Sequence, residues 1–82
     1  MELINHLIKY YEDEYNQAVT AIESKYLSKV FKPSEVVDNA IDRCLGVALF
    51  VQYLGMDYKD SNKEYEKIKE KLEKLLDKPT KA

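Results

Sequence analysis

Apolar residues recur at almost every third or fourth position through Ile4, Ile8, Tyr11, Tyr15, Ala18, Val19, Ile22, Tyr26 and Val30, with no Gly or Pro between them. That spacing keeps one stripe of a helix apolar and does not fit the strict alternation of a half-buried strand. Lys9, Glu12, Asp13, Asn16, Gln17, Thr20, Glu23 and Ser24 fall largely on the other side, while Leu3, Leu7 and Tyr10 widen the apolar face near the start. A long amphipathic first helix is expected over about residues 2–30, ending where Pro33 disfavours helical geometry at Lys32.

Ser34 is a plausible N-cap for a second helix over 34–54, with Glu35 suited to the positive end of the helix dipole. Its first half has a polar side of Asp38, Asn39, Asp42 and Arg43 opposite Val36, Val37, Ala40 and Ile41. From Cys44 to Leu54 only Gln52 interrupts an otherwise non-polar run, so this half is apolar almost all round and needs cover on every face. Ala40, Cys44 and Ala48 form a small-residue strip that lets another helix approach closely. Gly55 supplies the stop by taking the left-handed conformation. Ser61 and Glu64 read as a capping box opening a charged third helix over 61–78, with Tyr65, Ile68, Leu72, Leu75 and Leu76 as its apolar seam. Residues 79–82 read as a frayed tail after Pro79.

Two Gly and two Pro in 82 residues leave room for about three helices joined by short turns, in one domain over 1–82. The expected fold is all-α, an antiparallel three-helix bundle with a long first helix, a central apolar second helix and a charged third helix. Short connections would set Cys44 opposite a position near residue 20, Phe50 against Tyr65, Val47 against Ile68 and Cys44 against Leu72. The apolar surface left over points to a homodimer burying Val47, Phe50, Val51 and Leu54 with the tyrosine face of the first helix, Tyr11 and Tyr15 included.

The formal charge of −2 gives no basic excess for non-specific adhesion to nucleic acid or anionic lipid. It is unevenly spread: four Lys against five acids through residue 32, Arg43 against four acids through residue 57, and eight Lys against six acids beyond. Lys63, Lys67, Lys71, Lys74 and Lys78 align as a stripe on the third helix, but Glu66, Glu70, Glu73 and Asp77 lie beside it. The turn around Gly55 has a superficial likeness to a helix-turn-helix, whose inward apolar positions about six and nine residues on are here Ser61 and Glu64. Nucleic acid is therefore the alternative partner rather than the expected one.

Catalytic inventory is thin. The chain has one His, His6, and one Cys, Cys44, placed too far apart along the expected hairpin for a nucleophile–base pair. Cys44 reads as a small buried apolar residue. Glu12, Asp13 and Glu14 point in three directions, and Asp38 with Asp42 lacks a third ligand, so both groups read as solvated acidic faces and no metal or cofactor site is expected. Arg43 is the sole arginine, and its planar guanidinium suits an ion pair to an acid such as Glu23 or one on a partner chain. Its functional alternative is a polar recognition spot formed with Asn39, one turn away.

A lone cysteine suits a reducing compartment. The early residues turn acidic without a basic start or a small-residue cleavage site, and the apolar run is shorter than the roughly 20 residues of a membrane span. The sequence thus reads as a cytoplasmic, non-enzymatic helical module that binds another protein, with no membrane partner. The alternative is a nucleic-acid-associated regulator using the lysine stripe.

Overall fold

The computed structural model describes residues 3–24 and 27–76, and among them the chain is all-α. Its helices are α1 (Leu3–Glu23), the single-turn α2 (Leu27–Val30), α3 (Pro33–Tyr53) and α4 (Tyr58–Glu73). The three long helices form the expected bundle, with α3 packed on both α1 and α4 and those two also in contact. Leu7, Tyr11 and Ala18 of α1 meet Val37, Ala40, Cys44, Ala48 and Val51 of α3 and Ile68 and Leu72 of α4 in the core. Ala40, Cys44 and Ala48 all face inward, so the central helix buries its small side chains and lets its neighbours come close.

The first helix is shorter than its periodicity suggests, stopping at Glu23 instead of near residue 30. Most helical stability in a protein comes from packing an apolar face, and that packing runs out here. Leu75 and Leu76, just past α4, line the same cleft as Val19, Ile22 and Pro33, while Val30 and Phe31 stay exposed. Serine at position 24 is also a weaker helix former than alanine, because its hydroxyl can hydrogen-bond to nearby backbone outside a helix. Tyr26 lies outside the described residues.

This early stop resets the register of the hairpin. Arg43 meets Glu14, about two and a half turns before Glu23. The Tyr11 hydroxyl donates to the Cys44 carbonyl at 3.4 Å, where a position near residue 20 was expected.

Each boundary of α3 has its own cause. Lys32 is extended (φ −73°, ψ 146°) and takes the cap position expected of Ser34, because Pro33 brings a preset φ and no N–H to satisfy at the first helical position. Glu35 accepts from the Lys32 backbone N–H at 3.1 Å. At the other end Gly55 adopts φ 115° as expected. The Gly55 N–H donates to the Gln52 carbonyl and the Met56 N–H to the Val51 carbonyl, the paired bonds of a Schellman stop.

The cap of α4 also differs from the expected one. Asp57, immediately after that stop, accepts from the Lys59 N–H at 2.7 Å and starts the helix before Ser61 is reached. Ser61 is then fully buried, donating to the Ala48 carbonyl at 3.0 Å and accepting from the Gln52 amide at 3.1 Å. Phe50, expected against Tyr65, is exposed, because it lies on the side of α3 turned away from the core. The helix closes at Lys74 rather than 78, and the 79–82 tail lies outside the described residues. Replacing Asp57 by Ala is expected to cost about 1 kcal/mol in a urea melt; an unchanged midpoint would show that the cap contributes nothing.

Candidate functional site

The most organised polar group in the bundle is built on Arg43. Its Nε donates to both Glu14 carboxylate oxygens at 3.1 and 3.0 Å, and its Nη2 donates to Oε1 at 2.9 Å. Tyr10, one turn before Glu14 on α1, donates its hydroxyl to Oε2 at 2.8 Å. Glu14 is only 5% exposed, so the carboxylate expected on a solvated acidic face is instead a buried acceptor between two helices. The Arg43 side chain stays 52% exposed even though its guanidinium holds the Glu14 carboxylate.

Electrostatics follow from that geometry. Burial alone would raise the Glu14 carboxyl, but the Arg43 and Tyr10 hydrogen bonds outweigh it and hold the group below the ordinary carboxylate value. Burial and then the bond to Glu14 push the Tyr10 hydroxyl up to about 12. The Glu14 hydrogen bonds raise Arg43 further and keep it charged. Among the described residues every buried side-chain N or O atom has a partner. The group is a closed tie between α1 and α3, with the acid supplied by Glu14 in place of Glu23.

Asn39 and Arg43 do share a surface, an open groove of about 490 Å³ between α1 and α3. Asn16, Gln17 and Thr20 stand across from them, over a floor that includes Ala18 and Val36. Two of the three Arg43 nitrogens are committed to Glu14, which restricts what the groove can recognise through the guanidinium.

Cys44 is buried, and burial followed by the Glu14 charge pushes its thiol up to about 12, so it is protonated at neutral pH. His6 is exposed, as are Asp38 and Asp42. Among the described residues no three His, Cys, Asp or Glu side chains form a group able to hold a metal ion, and no helix is long and apolar enough to cross a membrane.

The lysine stripe is laced with contacts inside the chain. Lys67 pairs with Glu64 and Lys74 with Glu70, each at 3.3 Å. The Lys71 Nζ sits 4.2 Å from the centroid of the Tyr15 ring. Lys63 is exposed, and Lys78 lies outside the described residues. These pairs add little stability, yet they interleave the positive charge with negative charge.

The residues expected at a dimer interface separate into two groups. Tyr11 and Val51 are core residues of the single chain, and Tyr15 and Val47 are half-buried, packed against that core. Phe50 and Leu54 are exposed. With them on the outward side of α3 stand Leu45, Leu49 and Tyr53, which the sequence reading missed. At 100° per residue Tyr53 lies opposite Ala40, Cys44 and Ala48, with Leu49 beside it and Leu45 at the flank, so choosing the small-residue strip as the buried side would have found them.

No family model, curated protein or solved structure matches this chain.

Proposed function

We propose that this chain is a small non-enzymatic interaction module, working in the cytoplasm, that binds another protein chain through the outward side of the second half of α3. One observation carries the reading: Leu49, Phe50 and Tyr53 are exposed along one side of a helix whose opposite side is core, with Leu45 and Leu54 exposed at the two flanks of that side. Large apolar side chains scattered singly are ordinary on a protein surface, whereas a contiguous strip marks a place where another surface sits. The lone cysteine, buried and protonated, is in keeping with a reducing compartment.

A photo-crosslinking residue in place of Tyr53, introduced in the cell that makes the protein, tests this directly. A protein adduct at position 53, absent when the probe replaces the exposed Glu66 of α4, is the expected result. Equal or absent labelling at the two positions would overturn the assignment of the surface.

A further inference from the structure

The outward side of α3 holds both a projection and a gap. Tyr53 is 87% exposed, the most open of the large apolar side chains among the described residues. Gly46, seven residues earlier on the same side of the helix, is surrounded by open space: a Cβ added there would meet nothing within 4 Å. Glycine inside a helix is unfavourable relative to alanine, and nothing among the described residues requires one at this position. Glycine does permit the backbone of the helix to be approached closely.

Resting on the interaction reading above, we infer that the occupant of this surface is a second copy of the chain, with two α3 helices crossing antiparallel so that Tyr53 of each copy fills the gap over Gly46 of the other. A two-fold axis between Leu49 and Phe50 makes that exchange reciprocal, as a closed dimer requires. The same axis sets Leu49 of one copy against Phe50 of the other.

Area favours this occupant, and charge favours the antiparallel pairing over a parallel one. Leu45, Leu49, Phe50, Tyr53 and Leu54, with Tyr58 at the start of α4, are 41 to 87% exposed. At about 200 Å² for a large side chain fully open, they offer about 700 Å² of mostly apolar surface. A standard stable interface takes about 800 Å² from each partner, and the largest apolar patch on a typical monomer is about 300–600 Å². The outward side of the first half of α3 carries the exposed acids Glu35, Asp38 and Asp42. A parallel pairing would stack these acids on their own copies. The antiparallel one separates them, sending each set past Leu54 toward an end of the other copy where Lys59 and Lys63 balance Asp57 and Asp60.

Sedimentation equilibrium of the full chain from micromolar to millimolar concentration is the test. The wild type is expected to dimerise. Leu49→Glu, which puts a charge near the axis, is expected to stay monomeric while its circular dichroism remains helical. Gly46→Ala fits the open space in the single chain, so it should fold as well as the wild type yet dimerise at least about tenfold more weakly. A wild type monomeric throughout overturns the pairing, as does a dimer that Leu49→Glu leaves intact; a Gly46→Ala dimer of unchanged affinity overturns the crossing point. An adduct at position 53 to a different protein, together with a monomeric wild type, leaves the interaction reading standing and removes only the self-pairing.

Discussion

An Arg43→Met variant is expected to lose about 2–3 kcal/mol of stability at pH 7 and to recover part of that loss as the pH falls toward 5. Removing one partner of a fully buried ion pair costs about 3–5 kcal/mol. The lower figure applies here because half of the Arg43 side chain is in water, where screening reduces its worth, and because Tyr10 still donates to the carboxylate. The pH dependence distinguishes an ion pair from simple packing. In the wild type the Glu14 carboxyl lies below its ordinary value, so its contribution is complete above the unfolded-state pKa of about 4.3 and is lost as the pH falls through the folded-state value. Without Arg43 the burial of Glu14 remains but its main counterweight is gone, which raises the folded-state pKa above the unfolded one. Stability then rises as the pH falls through that window, because protonation removes a buried charge. Urea denaturation at pH 5 and pH 7 reads both effects. Parallel wild-type and variant curves would show that the pair at 2.9 Å does not support the fold.

How much of this network was legible in the sequence depends on what each inference needed. That Arg43 holds an acid of the first helix follows from local chemistry, since a single arginine at the margin of an apolar segment is suited to that task. Which acid it holds is a question of register, and register depends on where α1 stops. Periodicity over residues 24–30 favours a continued helix, but Val30 has no core to lie against, and packing decides. The same lesson applies at α4. Ser61 and Glu64 have the spacing of a capping box, yet a Schellman stop at Gly55 leaves Asp57 in position to cap first. Ser61 is then carried inward to a place where the Ala48 carbonyl and the Gln52 amide satisfy it.

The outward side of α3 was half legible for a related reason. An all-apolar segment announces that every side needs cover, and it does not announce which side the chain itself covers. Tyr11 and Val51 look like interface residues until the small strip Ala40, Cys44 and Ala48 is recognised as the inward side. Small side chains bury little area individually, so hydrophobicity alone points away from them, although they let three helices pack closely.

Leu72 and Leu76 belong to one apolar seam of the third helix by spacing, and a pair of alanine substitutions is expected to separate them. Leu72 is fully buried between α1 and α3, whereas Leu76 lies beyond the last turn of α4 and is 43% exposed. Leu72→Ala removes buried methyl groups and leaves a cavity whose walls belong to rigid helices, a change that costs about 2–5 kcal/mol. An 82-residue chain has about 4–12 kcal/mol to lose, so the variant is expected to be close to unfolding at physiological temperature. Leu76→Ala gives up part of one side chain's contact with the cleft formed by Val19, Ile22 and Pro33, and its cost is expected to stay below about 1 kcal/mol. Calorimetric melts of the two variants should therefore diverge widely, although a sequence-based seam treats the positions alike. Equal losses would mean that the chain end around Leu76 is as firmly packed as the centre of the bundle, and α1 would then have had a surface to follow beyond Glu23.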